Sequence, residues 1–438
     1  MRQPAHRKRF DFRRVHWAAL LVCAAMAWTP AESAQAQARA VDRTSPAARM
    51  GPTLDTVSRE PVIRVRIGRR LTQAVLSAPG GLVLSAEGAE QRLRFRQSAT
   101  VRVGEDGLVI RGDDGRAFRW DTGSVMAKPI EDGALLFGEQ RLPGGLALVR
   151  SGARMDAVNH APIEQYLPGV LERELYPRWE PAAYRAQAIA ARSYALWERA
   201  RAAQRHYDLE STTASQAYAG RSTRPRAIQA VQDTRGQVLA YRGRVLPAFY
   251  SSSTGGTGQD AVYAFPDRVE DLPPLRGVRR GKWGDISPMW RWATIVRNRA
   301  TLSARVRAWG AATESPAAQL GTIASIRVVE RNNAGRPTVY EVKDTRRRAV
   351  RLPCEQLRFA CNYAGGEQPS LERAQVLPSS HFSVRVGRND VRFENGRGFG
   401  HGVGLGQWGA QHLAQSGKSH LEILAFYYRG ARVERAYP

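Results

Sequence analysis

Pro181-Ala182-Ala183-Tyr184-Arg185-Ala186-Gln187-Ala188-Ile189-Ala190-Ala191-Arg192-Ser193-Tyr194-Ala195-Leu196 is the stretch on which the fold turns. Proline at an opening position gives up an N–H that has no helical partner anyway. Ala, Gln and Arg are strong helix formers, so the segment predicts one long helix over 181–203. Strand patterns flank it on both sides. Upstream, Val62-Ile63-Arg64-Val65-Arg66-Ile67, Leu82-Val83-Leu84, Leu93-Arg94-Phe95, Thr100-Val101-Arg102-Val103 and Leu108-Val109-Ile110 alternate between glycine-rich or Asp-Gly turns, the pattern of a β meander. Downstream, a helix over 225–234 precedes strands at 237–242 and 245–251. A helix over 302–311, strands at 323–329, 338–342, 381–386 and 390–393, and helices at 406–415 and 421–427 follow. The class is α+β: a mixed, strand-rich core with the Ala-rich helix packed against it by its Ala faces, and a β-rich N-terminal region.

The chain has 438 residues, with 66 Lys+Arg against 40 Asp+Glu and a formal charge of +26. Ten Trp, fourteen Tyr and twelve Phe exclude a wholly disordered chain. No run beyond the N-terminus is apolar for the roughly 18 residues a membrane span needs, so no stable span is expected. Only five cations are Lys (Lys8, Lys128, Lys282, Lys343, Lys418), and so uniform an Arg skew reads as a coding bias rather than a binding patch.

The N-terminus says more. Arg2, Arg7, Lys8, Arg9, Arg13 and Arg14 precede an apolar run over 15–28, and Ala34-Gln35-Ala36-Gln37-Ala38 offers cleavage after Ala36 or Ala38. That is the build of a secretory signal peptide over 1–36, followed by a small, polar linker at 37–60. An exported chain, working in the periplasm or cell wall, makes nucleic acid a poor partner. In such a compartment Cys354 and Cys361 predict a disulfide. An unbroken helix would hold their Cα atoms roughly 10.5 Å apart, so a bridge requires a turn between them.

Chemistry concentrates in a few segments. In Leu171-Glu172-Arg173-Glu174-Leu175-Tyr176-Pro177, Glu174 lies between apolar neighbours near a helix end, where burial raises a carboxyl pKa toward that of a general acid. Tyr207–Tyr218 is dense in hydroxyls and amides, suited either to sugars or to its own turns. Tyr250-Ser251-Ser252-Ser253-Thr254-Gly255-Gly256 ends a strand in small residues without a serine-hydrolase elbow. Five glycines alternate from Gly398 to Gly406, letting another backbone or a flat ligand lie close, and His401 sits among them. No phosphate-loop or dinucleotide fingerprint follows, and the histidines lack metal spacing, so neither metal nor cofactor is expected.

In this order the segments resemble the SpoIID/LytB family, the sporulation stage II protein D and amidase-enhancer relatives. The resemblance is carried by Ile163-Glu164-Gln165-Tyr166-Leu167-Pro168-Gly169-Val170, Arg173-Glu174-Leu175-Tyr176-Pro177, Arg185–Leu196, Thr212-Thr213-Ala214-Ser215-Gln216-Ala217-Tyr218, Thr234-Arg235-Gly236-Gln237-Val238-Leu239, Tyr250–Gly256 and Gly396–Ala410. It assigns a family-like domain to 141–438, behind a β-rich region at 61–140. Catalytic members are lytic transglycosylases cleaving peptidoglycan strands without stem peptides, which implies peptidoglycan glycan as substrate and 1,6-anhydro products. By resemblance, Glu174 is the catalytic acid and Arg192 the family's helix arginine. The expected substrate-binding set is Arg192, Tyr194, Thr213, Gln216, Tyr250, Ser251, Ser252, Ser253, Gly256, His401, Gly402 and Gln407. Ala214 and Ser215 stand where some members carry zinc-binding His and Cys, so no zinc is expected. The alternative is a non-catalytic, wall-binding enhancer with a cell-wall amidase as partner.

Overall fold

The computed structural model describes residues 50–438 except 58, 87–91, 132 and 267. The expected signal peptide and most of the linker lie outside the described residues. The meander folds into two sheets. A seven-stranded sheet runs in the order Leu209–Glu210, Val62–Leu71, Arg154–Pro162, Gly145–Ser151, Ser124–Pro129, Leu82–Ala86, Arg92–Phe95. A six-stranded sheet runs Gln140–Leu142, Leu135–Phe137, Gln73–Ser77, Ser98–Val103, Leu108–Gly112, Ala117–Trp120. Period-two alternation turns one face of each inward. Leu84, Ala127 and Leu146 line up across three strands of the first sheet and Val101 faces Ile110 in the second, all in one apolar cluster. The first sheet takes strands from both sides of residue 140, with Arg154–Pro162 inside it between Val62–Leu71 and Gly145–Ser151.

From Pro162 the chain enters α1 (Ile163–Glu174), then α2 (Pro181–Arg201) and α3 (Pro225–Asp233). The expected Ala-rich helix is α2, and it is buried on almost every face rather than along one stripe. Ala186, Ala188, Ala190, Ala191 and Ala195 are all inaccessible, letting α1, α3 and the strand Gln237–Tyr241 approach its backbone closely. The strand expected at 245–251 is cut to Arg244–Val245 and Tyr250–Ser251, because Pro247 between them cannot donate to a ladder.

A separately cored module then leaves the chain. Helices α4 (Arg299–Ala312) and α5 (Cys354–Asn362) pack with two three-stranded sheets around Trp309, Tyr340, Leu357 and Phe393. The chain returns at Leu405–Gly406, which pairs in parallel with Tyr250–Ser251. Helices α6 (Gln407–Gln415) and α7 (His420–Tyr427) rejoin the first core against α2.

The expected disulfide is corrected here. Cys354 and Cys361 are both free and buried, and α5 runs unbroken through them, so the turn a bridge would need is absent. Burial pushes each thiol up to about 12.

Candidate active site

Glu174 is the last residue of α1. Leu175 is extended and its N–H bonds back to Leu171 O, while Pro177 prevents further winding. The carboxyl is half-buried and held from two distant parts of the sequence. Ala217 N donates to Oε1 at 3.2 Å, and Gln407 Nε2, from the first residue of α6, donates to Oε2 at 2.9 Å. Both bonds favour the ionised form, but desolvation outweighs them and raises the pKa above the ordinary glutamate value.

Behind the carboxyl lies a chain of amide and phenol groups. Gln216 is fully buried; its Oε1 accepts from Tyr166 OH at 3.0 Å, and its Nε2 donates to Ala191 O at 3.2 Å and to Tyr250 OH at 3.0 Å. Burial above all holds the Tyr166 and Tyr250 phenols protonated, well above their ordinary range, and the Glu174 charge adds to this most at Tyr250. Since Tyr250 OH accepts from Gln216, its own proton is left to donate. On the other flank, Tyr176, Trp179 and Trp408 form an aromatic cluster with ring centroids 5.0–5.4 Å apart.

The sequence-derived set separates into groups. Glu174, Gln216, Tyr250 and Gln407 come together. The glycine segment and the serine turn converge there as well, because Ser251 pairs with Gly406, Trp408 N bonds Ser252 O at 3.0 Å, and Ser253 bridges Phe399. Ser251 is buried and its Oγ has no partner among the described residues, whereas Ser253 Oγ accepts from Gly255 N. Tyr194 backs the site: its ring meets Tyr250 at 6.4 Å and its hydroxyl donates to Glu198. Thr213 is exposed on the turn before Gln216.

Arg192, expected to contact substrate, is placed elsewhere. It is fully buried and bonds Glu164 with Nε at 2.9 Å and Nη2 at 2.7 Å, besides Gln237 O at 3.0 Å. Glu164 opens α1 and Glu174 closes it, roughly 15 Å away along the axis. His401 is likewise occupied. Its ring packs against Phe265 at 4.9 Å, Nδ1 accepts from Val403 N, and burial lowers its pKa to about 4, so it stays neutral. Gly256 and Gly402 serve packing rather than ligand access. A Cβ on Gly402 would stand 2.1 Å from Arg336 Nη1, and one on Gly256 2.7 Å from Gly281 O.

Tyr166 and the Ala217 amide were not among the expected site residues. Tyr166 lies in a matched segment, so its signal was available; a backbone N–H carries none.

A half-buried carboxyl with raised proton affinity, set among amide and phenol groups, is the make-up of a general acid–base centre. The comparisons with known proteins narrow the class. Residues 151–241, which span α1 through the strand Gln237–Tyr241, match the family of Stage II sporulation protein, SpoIID. An uncharacterized protein of Brachyspira hyodysenteriae is 29% identical over 305 residues, covering 69% of this chain and 74% of that protein. The amidase enhancer of Bacillus subtilis is 26% identical over 286 residues, 60% of this chain and 39% of its own length. Stage II sporulation protein D of Bacillus subtilis is 24% identical over 340 residues, 72% of this chain and 85% of that protein. The matched domain and these relatives support the SpoIID/LytB family and a cell-wall related function. Among the described residues no helix is long and apolar enough to cross a membrane.

Proposed function

We propose that the protein is an exported lytic transglycosylase that cleaves peptidoglycan glycan strands, working in the periplasm or cell wall. The observation that supports this most is the protonation bias of Glu174, a single carboxyl whose pKa is raised by burial and whose two oxygens are fixed by Ala217 N and Gln407 Nε2.

The chemistry needs one such group. Protonated Glu174 donates to the glycosidic oxygen between N-acetylmuramic acid and N-acetylglucosamine, and the C1–O bond breaks with the electron pair leaving on that oxygen. The carboxylate then takes the proton from the muramoyl C6 hydroxyl, whose oxygen bonds to C1 and closes the 1,6-anhydro ring. Glu174 ends protonated, as it began, so the cycle needs no proton from solvent. A hydrolase would require a second carboxylate to activate water or attack C1, whereas here the substrate supplies the nucleophile. In this reading Tyr250, whose hydroxyl proton is left to donate, holds a sugar oxygen or the leaving group beside the acid, and the buried Gln216 orients it.

The second reading, a non-catalytic enhancer of a cell-wall amidase, is supported by the similarity to a protein named amidase enhancer. One experiment separates the two. The purified chain is incubated with peptide-free glycan strands, and 1,6-anhydromuramoyl ends are counted by mass spectrometry. Glu174→Gln keeps shape and hydrogen-bonding reach but cannot exchange a proton. It is expected to lower the rate by about 10² to 10⁴-fold, the contribution of a positioned acid–base group. A loss below tenfold removes Glu174 as the acid, and full cell-wall effect of the variant in cells replaces the enzyme reading with the enhancer one.

A further inference from the structure

Large aromatic side chains leave water where packing allows, so the places where they do not are informative. Among the described tryptophans, Trp120, Trp179, Trp197 and Trp309 are buried. The half-exposed ones, Trp283, Trp290, Trp292 and Trp408, lie in two segments that fold together. Phe399, 47% exposed, is the one exposed aromatic ring among the described residues, and it joins the same surface. Contacts lead there step by step from the acid. Gln407 bonds Glu174, and the next residue, Trp408, sets its ring 5.4 Å from that of Tyr176. A Cβ on Gly409 would stand 3.3 Å from Trp283 O, and one on Gly284 3.2 Å from Gly409 Cα. The Trp290 ring lies over Gly256 and Gly284, where a Cβ would stand 2.7 and 3.7 Å from it. Gly398 N donates to Met289 O at 3.0 Å, which brings Phe399 alongside.

The rings are held in place by the protein itself. Arg280 donates to Phe426 O and, at 2.9 Å, to Tyr427 O, fastening the loop that follows it to α7. The Trp283 ring packs on His412 of α6 at 5.0 Å, and Gly284 N donates to His412 Nδ1 at 3.3 Å. Phe399 exchanges both backbone bonds with Ser253, at 2.9 and 3.1 Å. A surface fixed in this way loses little freedom on binding. Trp292 is support: its ring covers Gly396 and meets Phe382 in the core of the module. Trp283, Trp290 and Phe399 remain, and the ring contacts of their segments run to His412 and Phe382 rather than among the three. Separate rings suit a polymer whose apolar faces recur, whereas a protein partner is met by one contiguous packed patch.

We propose that Trp283, Trp290 and Phe399 are stacking positions for N-acetylhexosamine rings of a glycan strand, beyond the pair joined by the cut bond. The C–H face of a β-linked pyranose is flat and apolar and lies against an aromatic ring. Its equatorial hydroxyl and acetamido groups point to the rim, where Lys282, Asp285 and Arg291 are exposed on the same loop. That the strand held here is the one cut at Glu174 rests on the proposed function; the stacking does not. Each further sugar adds a contact away from the reacting bond, so the track makes the protein favour long strands over short ones.

The test measures calorimetric binding of chitin oligomers of two, four and six N-acetylglucosamine units to the Glu174→Gln protein. Affinity is expected to rise with length. Phe399→Ser removes a ring that stands outside the core. It is expected to weaken the hexamer about two- to tenfold, the worth of one ring stack, and to leave the dimer unchanged. Trp283→Ala should act in the same direction, with Trp283→Phe restoring part of the loss. Ile286→Ser, the loss of a 39% exposed aliphatic side chain from the same loop, is the control and should keep parental affinity. Affinity independent of length, unchanged hexamer binding in Phe399→Ser, or an equal loss in Ile286→Ser overturns the proposal. A Phe399→Ser protein that binds the hexamer as its parent does, but no longer stimulates a cell-wall amidase, overturns it in favour of a protein partner. If the parent protein makes no anhydro ends yet shows the length preference, and Phe399→Ser abolishes it, the lytic reading fails and the track stands. If the parent makes them and Phe399→Ser cuts long strands at the parental rate without a change in hexamer affinity, the track alone fails.

Discussion

Replacing Arg192 by Ala separates a substrate contact from a structural one, because the two roles predict effects on different quantities. In the structure the Arg192 side chain is inaccessible, while that of Glu164 is 8% exposed. Their two bonds close at 2.9 and 2.7 Å, and Glu164 Oε1 also accepts from Tyr437 OH and Gly236 N. Truncating Arg192 leaves a carboxylate without its counter-charge among donors too weak to replace it, and strips a donor from Gln237 O and Val231 O. Breaking a buried pair from one side costs about 3–5 kcal/mol. Against a total stability of about 5–15 kcal/mol, that is a large fraction of the whole. Urea unfolding followed by tryptophan fluorescence should therefore show a much lower midpoint for Arg192→Ala. The residual folded protein should keep near-parental turnover per native molecule, since Glu174 lies a helix length away. Pairing the change with Glu164→Leu should recover part of the loss, as removal of both charges leaves neither uncompensated. A stability loss under about 1 kcal/mol combined with abolished glycan cleavage would refute this reasoning and return Arg192 to the substrate.

Two further outcomes test the site and its support. Gln407→Leu removes a bond that favours ionised Glu174. A hydrogen bond to a charged group contributes about 1.5–3 kcal/mol, and each 1.36 kcal/mol corresponds to one pH unit, so the alkaline limb of the kcat profile should move up by about one to two units. An unmoved or lowered limb would disconnect Gln407 from the acid. Arg336→Met should destabilise the protein by about 3 kcal/mol or more in thermal or urea unfolding, because Thr254 O, Thr257 O and His401 O each lose a buried donor, whereas an unchanged midpoint would show that this guanidinium pins nothing.

The fold was legible where local chemistry and tertiary demand agree. The Val and Leu alternation before residue 150 and the opening proline of α2 each carry one meaning, and the chain adopts it. Glu174 was legible because its apolar neighbours and the proline after it announced a desolvated helix end. Arg192 was not: a motif marks that a residue is required, and a buried ion pair requires its arginine as strictly as a substrate does. The cysteines misled for a related reason, since compartment argues for a bridge while only the helical backbone decides whether the two thiols can meet. The Ala217 amide has no side-chain signature and becomes visible only when the Thr212–Tyr218 turn is folded against α1.

The alternating glycines carry the last step of the argument. Sequence alone allowed either a ligand or another backbone to lie against them, and the backbone occupies the places named here. A Cβ on Gly404 would stand 2.0 Å from Phe249 O, and Gly402 makes room for the Arg336 guanidinium brought in by the separately cored module. These close approaches dock the returning chain beside Tyr250–Ser251. Gln407, the next residue after that docked pair, is thereby aimed at Glu174, 233 positions earlier in the chain. Among the described residues the module between 251 and 405 has no side chain bonded to the acid, yet its Arg336 ties Thr254 O and Thr257 O, after one strand, to His401 O, before the other, and the Gln407 bond depends on both strands. Loosening that pin reaches the acid through the Gln407 bond and through Tyr250 on the partner strand, so under the proposed chemistry a destabilised module shifts the pH dependence of cleavage before it abolishes the fold.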